Sequence, residues 1–144
     1  KAGCDYTAEV EGLEKNLGEE LLRPTKIYVK TVLALLERYR IKGIAHITGG
    51  GLIENLPRIL PEGLRAEIQK DSWQPQKIFE LIQEAGEIAE REMYRTFNMG
   101  IGMTLVINKE DKEKILGELE KMGEEACLIG EIKAGAEDPS LEIK

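Results

Sequence analysis

The sequence predicts an α/β or α+β domain in which helices and strands form a layered sandwich. Segments with helical spacing of apolar residues alternate with short β-rich runs, and this alternation is typical of layered folds. The chain has 144 residues, the size of one domain. Its residues are 42% hydrophobic and 33% charged, a balance typical of globular proteins with a core of their own. The patterns leave the strand order open.

Five helices are predicted. The first runs from about Ile27 to Arg40, because Val29, Val32, Leu33 and Leu36 recur at i, i+3, i+4 and i+7. The second begins after three glycines and is interrupted near a proline. The second helix covers 51–56. The third covers 78–86, with an apolar stripe and Gly86 as C-cap, and the fourth covers 89–97, with helix-favouring composition. The fifth is capped by Asn108 and has acidic residues in its first turn, and its Ile115, Leu119 and Met122 are expected to face inward.

Four strands are predicted from short apolar or β-branched runs between turn residues. The segments before the first helix and after the last strand are polar, so we expect an irregular or partly helical lead-in over 1–26 and a polar tail. The strands are 43–47, 64–68, 102–107 and 126–132, and the tail is 133–144.

Charge and cysteine content exclude several classes of protein. The net charge of −7 argues against a nonspecific nucleic-acid binder, which would carry a basic stripe. No apolar run approaches the ~18 residues of a membrane span. Cys4 and Cys127 are far apart, and two reduced thiols are a better interpretation than one disulfide. With a single histidine, these cysteines form no familiar zinc spacing. The first residues lack a signal-peptide core and an initiator Met, so we expect a processed chain or part of a longer one.

Three consecutive glycines, Gly49, Gly50 and Gly51, follow Thr48 where a strand passes into a helix. Glycine loses the most conformational freedom on folding, so such a run is locally unfavourable. Two interpretations remain open. The glycines either let backbone N–H groups and the Thr48 hydroxyl approach a phosphate at the helix N-terminus, or form a tight turn that needs positive φ. The run matches neither the P-loop nor the dinucleotide-binding motif.

His46 lies two residues before Thr48, so on a strand the two side chains share a face. An imidazole there could donate a proton or hold a charged substrate. The alternative is a hydrogen-bonded histidine without chemistry.

A second unusual stretch, residues 94–103, contains Asn98 and the glycines Gly100 and Gly102 before a strand. These glycines favour either close approach by a ligand or tight packing. We interpret the methionine and aromatic residues of this stretch as core residues, and Trp73 as a packing residue. Arg58 and Arg95 are candidate phosphate partners or simple surface cations.

Two long segments carry a family resemblance. "HITGGGLIENLPRILPEGLRAEI" and "SWQPQKIFELIQEAGEIAEREMYRTFNMGIGM" resemble the C-terminal domain of the aminoimidazole ribonucleotide synthetase (phosphoribosylformylglycinamidine cyclo-ligase) family. "GEELLRPTKIYVKTVLALLE" and "CLIGEIKAG" fit the same family, so the resemblance runs from about Gly18 to Gly135.

The resemblance implies a fold and an activity. The family domain is a three-layer α/β/α structure with a mixed sheet. The whole enzyme is a cytoplasmic homodimeric ligase of purine biosynthesis. It uses ATP to close formylglycinamidine ribonucleotide into aminoimidazole ribonucleotide, releasing ADP and phosphate. ATP and Mg²⁺ bind mainly to an N-terminal domain, and the active site lies between the two domains.

The resemblance also implies site residues. Thr48, Gly49, Gly50 and Gly51 would bind the ribose 5′-phosphate of the substrate, with a nucleotide phosphate as the rival ligand. His46 would orient substrate or handle a proton. The remaining candidates are Asn55, which would lie near the same anion, and Asn98 and Gly100, which would form a second motif facing the cleft.

The acidic and glycine motifs of the family's ATP and metal site are absent from this sequence. We therefore expect residues 1–144 to be one C-terminal domain of a longer chain, without a metal site and inactive alone. Neither a nucleic acid nor a membrane is expected as a partner. Two alternatives are a related ATP-using member of the superfamily and a non-catalytic module that binds a phosphorylated metabolite.

Overall fold

The computed structural model describes residues 5–135 and 137–144. The helices lie close to their predicted places, but the one predicted over 27–40 is shorter, and the lead-in contains one short helix. Three 3-10 turns, Pro57–Ile59, Lys70–Ser72 and Lys109–Asp111, accompany them. The helices are α1 (Leu17–Leu21), α2 (Val29–Leu36), α3 (Gly51–Asn55), α4 (Lys77–Gly86), α5 (Glu90–Thr96) and α6 (Lys112–Lys121).

The predicted α+β class and its mixed sheet are confirmed, and the strands divide between two sheets. A two-stranded sheet pairs β1 with β3 in antiparallel register, with His46 opposite Met103. A three-stranded sheet has the order β4-β2-β5, in which β2 is antiparallel to β4 and parallel to β5. The strands are β1 (Gly43–His46), β2 (Leu64–Ile68), β3 (Met103–Val106), β4 (Gly130–Ala134) and β5 (Ser140–Ile143).

The polar tail was predicted wrongly, because it contains β5. Leu141 and Ile143 pack against the core, whereas Ser140 and Glu142 are exposed, so the strand alternates over only four residues. Such a short alternation is a weak signal in sequence. The strand forms because β2 supplies its hydrogen-bonding partner.

Three helix ends also differ from prediction. The helix predicted to be capped by Asn108 begins at Lys112 with Asp111 as its N-cap, and the Asn108 side chain donates to the Asp111 carboxylate at 3.2 Å. The left-handed C-cap of α4 is Glu87, with φ of 50°, and not Gly86. Gly86 is the last helical residue, and a Cβ there would lie 2.8 Å from Cγ1 of Ile88. Met122 was expected to face inward, but it follows the end of α6 and is more than one-third exposed.

The core has two parts. Leu52 of α3, Ala66 of β2 and Met93 of α5 are completely buried in the larger part, which joins the three-stranded sheet to α3 and α5. The smaller part joins α2 to α6 through Leu35, Ile115 and Leu119. Tyr94 and Met99 are buried in the larger part, and Phe97 packs against it, as predicted for the aromatic and methionine positions.

The apolar stripe that predicted helix α2 does not face the core. Val29, Leu33 and Leu36 are exposed, and Leu35 is the buried residue of the helix. Helix α2 therefore contacts the core through another face than the one its sequence pattern marks most strongly.

Candidate functional site

A cavity of about 780 Å³ lies where the ends of β1 and β3 meet the N-terminus of α2. His46, Thr48, Asn98 and Gly100 all line it, although they come from two segments about 50 residues apart. The cavity therefore brings together four of the residues predicted from sequence. The other predicted site residues, Gly49, Gly50, Gly51 and Asn55, are not among the residues that line it, although the glycines directly follow Thr48 in the chain.

His46 and Thr48 share a face, as the strand spacing predicts. Ala45 and Ile47 are buried beneath the sheet, whereas His46 and Thr48 are exposed. The backbone N–H of Ile47 donates to the carbonyl of Gly102 at 2.9 Å, which extends the β1–β3 pairing towards the cavity. The imidazole and the hydroxyl consequently face the cavity from a rigid strand end.

Tyr28 is a residue of the cavity wall that was not predicted from the sequence. It precedes α2 and lines the cavity, and its ring lies edge-on to His46 with centroids 5.8 Å apart. A Cβ at Gly102 would lie 2.0 Å from the Tyr28 hydroxyl. Gly102 therefore makes room for Tyr28, which explains one of the two glycines before β3. Only the tertiary fold brings the two residues together, so sequence offered the glycine as a signal but not its partner.

The glycine run performs two different tasks. Gly50 and Gly51 have φ of 97° and 55°, in the left-handed region. A Cβ at Gly51 would lie 2.1 Å from the carbonyl oxygen of Tyr94, so this glycine lets α3 pack on α5. The tight-turn interpretation thus accounts for these two. Gly49 is different, because it is exposed and a Cβ there would meet nothing within 4 Å.

The Asn55 side chain holds the glycine run 49–51 in place through hydrogen bonds. Its side chain is buried, and its amide nitrogen donates to the carbonyl oxygens of Gly49 at 3.1 Å and Gly51 at 2.8 Å. Both amide hydrogens are therefore used within the loop. The effect is to hold the backbone of the glycine run in one conformation.

Residues 98–101 form a tight turn that contributes Asn98, Gly100 and Ile101 to the cavity wall. The Asn98 carbonyl accepts from the Ile101 N–H at 2.9 Å, and its side-chain oxygen accepts from the Gly100 N–H at 3.0 Å. Met99 and Gly100 both have positive φ, as the central residues of hairpin-type turns do. The Trp73 indole donates to the Met99 carbonyl at 2.8 Å, so Trp73 supports the turn, as the predicted packing role implies.

The two arginines considered as phosphate partners contact a carboxylate. Arg95 donates to Glu54 at 3.1 Å, and Arg58 lies 3.6 Å from the other oxygen of the same carboxylate. Glu54 is in the first turn of α3, close to Gly50. This geometry agrees with the surface-cation interpretation.

Lys26 and Glu124 form an ion pair at the cavity margin, and Thr31 donates to the same carboxylate at 2.8 Å. These hydrogen bonds lower the pKa of Glu124, and the bond that Lys26 donates to Glu124 raises the pKa of Lys26. The pair ties the segment before α2 to the loop after α6.

Within residues 5–135 and 137–144, no cluster of three or more His, Cys, Asp or Glu side chains is arranged to hold a metal ion. Cys127 is a free thiol on the cavity wall, and desolvation raises the pKa of that thiol. Cys4, the other cysteine considered above, lies outside the described residues.

None of the helices in the described part of the chain is both long and apolar enough to cross a membrane.

The comparisons with known proteins agree with the resemblance read from sequence. Residues 3–140 match the family model described as AIR synthase related protein, C-terminal domain. The chain is 53% identical over 136 residues to the phosphoribosylformylglycinamidine cyclo-ligase of Syntrophotalea carbinolica, and 56% identical over 133 residues to that of Brevibacillus brevis. The enzyme of the same name from Alkaliphilus metalliredigens is 52% identical over 132 residues.

These alignments cover 92–94% of this chain but only 38–39% of each relative. The chain thus spans well under half the length of the relatives it matches. Because the family model covers nearly the whole sequence, the chain belongs to the family of AIR synthase related proteins and corresponds to their C-terminal domain.

Proposed function

We propose that this chain is the C-terminal domain of a phosphoribosylformylglycinamidine cyclo-ligase. The whole enzyme would use ATP to close formylglycinamidine ribonucleotide into aminoimidazole ribonucleotide, with release of ADP and phosphate. The observation that carries the proposal is identity of 52–56% over almost the entire domain to relatives that all bear this name.

The cavity would bind the substrate of that reaction. Its walls combine polar groups that suit a ribonucleotide, including His46, Thr48 and Asn98, with apolar surface. Sites for small molecules commonly pair an apolar lining with a few placed polar groups. Tyr28 would hold the His46 ring in place, so that the imidazole can orient the substrate or move a proton.

The glycine loop would bind the 5′-phosphate of the substrate beside this cavity. Gly49 supports this role because it is exposed and because no neighbouring atom would clash with a side chain at this position. Packing therefore does not explain why this residue is a glycine. Asn55 supports it indirectly by fixing the loop backbone. Thr48 would add a hydroxyl, and Asn98 and Gly100 would contact another part of the substrate in the same cavity.

ATP and Mg²⁺ would bind mainly outside this domain. The described residues do not fit a metal site, since no suitable cluster of ligands is present among them. We therefore assign this chain substrate binding and orientation. Phosphoryl transfer depends on metal ions and positioned cations, so we expect the chain to be inactive without the rest of the enzyme. The whole enzyme is proposed to be a cytoplasmic homodimer.

Isothermal titration calorimetry tests the phosphate assignment. Aminoimidazole ribonucleotide should bind this chain, and its dephosphorylated riboside should bind at least tenfold more weakly. Gly49→Asp should abolish the difference, because the new carboxylate repels the phosphate. Gly117→Asp is the matched control, since a Cβ at Gly117 also meets nothing within 4 Å and Gly117 is not among the residues that line the cavity.

Equal binding of the nucleotide and the riboside would refute the assignment. If neither binds, the same titration on the full-length enzyme decides, and equal affinities there would refute it. Competition by ATP at the loop would identify the nucleotide as the ligand instead. A full-length enzyme that turns over no formylglycinamidine ribonucleotide would refute the cyclo-ligase proposal itself.

A further inference from the structure

Tyr28 brings a phenolic hydroxyl to the wall of the cavity. The residue is the N-cap of α2, and its carbonyl accepts from the Val32 N–H at 2.9 Å, so the first turn of the helix fixes its backbone. Its side chain lines the same cavity as His46 and Thr48. A tyrosine hydroxyl can both donate and accept a hydrogen bond. Tyr28 therefore adds a third polar group to those of the strand end.

The Tyr28 hydroxyl is open to the cavity. Among the described residues, every buried side-chain nitrogen or oxygen has a hydrogen-bond partner. Tyr28 is partly buried, and no hydrogen bond within that part of the chain involves its hydroxyl. The hydroxyl is consequently accessible and not buried without a partner. Because the residue lines the cavity, a molecule bound there can reach it.

Gly102 leaves the space that this hydroxyl occupies. A Cβ at Gly102 would lie 2.0 Å from Oη of Tyr28 but 3.0 Å from Cζ and 3.5 Å from Cε2. The closest approach is thus to the oxygen and not to the ring. The φ of Gly102 lies outside the left-handed region, so its backbone does not require glycine. The missing side chain at Gly102 therefore serves the position of the tyrosine oxygen.

Two further contacts hold the Tyr28 ring. The His46 ring lies edge-on to it with centroids 5.8 Å apart, and Nζ of Lys26 lies 6.0 Å from its centroid. Lys26 is itself fixed by its ion pair with Glu124. A side chain that is held before the ligand arrives loses little conformational freedom on binding. The hydroxyl is therefore preorganised for a ligand.

We propose that the Tyr28 hydroxyl is a binding group of this site, which hydrogen-bonds to a part of the ribonucleotide other than its phosphate. The inference rests on the proposed function for the identity of the ligand. The glycines assigned to the phosphate, 49–51, are not among the residues that line the cavity, whereas Tyr28 is. The part of the ligand beside Tyr28 is then the sugar or the portion that becomes the imidazole ring.

This role differs from support of the His46 ring. The contact with His46 is made by the ring of Tyr28, which a phenylalanine would keep. A hydrogen bond to the ligand needs the oxygen, which a phenylalanine lacks. Tyr28→Phe therefore separates the two roles, because mere support of His46 would survive the substitution.

Steady-state kinetics of the full-length enzyme with formylglycinamidine ribonucleotide test the proposal. Tyr28→Phe should raise KM about three- to tenfold, as loss of one hydrogen bond does, and should change kcat less than about twofold. Tyr6→Phe is the matched control, because Tyr6 is 70% exposed and does not line the cavity. Neither constant should change in this control, and equal melting temperatures would show that both variants keep the fold.

Inhibition constants locate the contact on the ligand. The constants of aminoimidazole ribonucleotide and of its dephosphorylated riboside should rise by the same factor in Tyr28→Phe, because the hydroxyl contacts a part that both share. Gly102→Ala should also raise KM, since the new Cβ displaces Oη of Tyr28. The double variant should be no worse than the more impaired single variant, because both substitutions remove one contact.

An unchanged KM in Tyr28→Phe would overturn the proposal and leave Tyr28 only as support for His46. A rise in the inhibition constant of the nucleotide alone would also overturn it, because the hydroxyl would then contact the phosphate. Effects that multiply in the double variant would overturn the link between Gly102 and the hydroxyl. An unsubstituted full-length enzyme without turnover would instead refute the proposed function, so the two failures are distinguishable.

Discussion

The two sheets of this domain differ in whether their polar side chains are paired with one another or left exposed. The three-stranded sheet encloses the carboxylate of Glu67, which is only 3% exposed and contacts Arg65, Lys133 and Lys144. The two-stranded sheet ends in exposed polar groups, His46 among them, beside an open cavity. A sheet whose charges are all paired serves stability, whereas polar groups left open at a strand end are available to a ligand. The comparison thus favours the smaller sheet as the place of the proposed ligand site.

The largest effect is expected after the end of β1, where α3 begins and packs on α5. Gly51→Ala places a Cβ 2.1 Å from the Tyr94 carbonyl oxygen at a residue with positive φ. Left-handed strain and overpacking together should lower the free energy of unfolding by about 2–5 kcal/mol. Urea denaturation followed by circular dichroism measures the change.

The neighbouring glycine is the control for that prediction. Gly49→Ala meets no atom within 4 Å, so it should change the free energy of unfolding by less than about 0.5 kcal/mol. Equal losses for the two variants would contradict the division of the glycine run into a packing part and an open part.

The next effect concerns the charged sheet and depends on pH. Hydrogen bonds from Lys133, Lys144 and Arg65 lower the pKa of Glu67 from 4.5 to about 2. The stability contributed by this carboxylate is therefore fully present above pH 4.5 and is lost as the pH falls towards 2. Glu67→Gln should lower the melting temperature at pH 7 and flatten its fall between those pH values.

Thermal melts at several pH values test this expectation. Glu142→Gln is the matched control, because Glu142 lies on β5 opposite Glu67 in the parallel register but is half exposed. Its melting temperature should follow that of the unsubstituted chain. An unchanged acid slope in Glu67→Gln would show that the buried carboxylate does not govern acid stability.

The smallest effect is expected at the turn that leads into β3. Trp73→Phe removes the donor to the Met99 carbonyl but keeps an aromatic ring near Tyr94. Loss of one such hydrogen bond should cost about 1 kcal/mol in the free energy of unfolding. Trp73→Leu, which also loses the ring, should cost more. An unchanged free energy of unfolding in Trp73→Phe would show that the indole N–H contributes nothing.

Local sequence signals predicted most of the secondary structure. The strand 64–68 has the predicted bounds, and α3 begins directly after Gly50, as the glycine run indicated. These elements are encoded by residues that are neighbours in the chain. Pairing between distant segments was less visible: β5 was missed because four residues with a weak alternation become a strand only when β2 lies beside them.

Only part of the candidate site was predicted, because sequence motifs show residues that are close in the chain and not contacts between distant segments. His46, Thr48, Asn98 and Gly100 belong to short motifs, and all four line the cavity. Tyr28 was missed because its contact with His46 joins residues 18 positions apart, in different elements. The binding roles of all these residues remain predictions, which the titration with Gly49→Asp addresses.

By itself, the sequence determined the fold class, the family and most helices and strands, because periodicity, glycines and long motifs are properties of contiguous segments. Only the tertiary structure decided which apolar face of α2 is buried and which glycines the packing requires. It also decided that Glu67 is surrounded by three cations from three strand regions. Those outcomes depend on contacts between segments far apart in the chain, and such contacts exist only after the chain has folded.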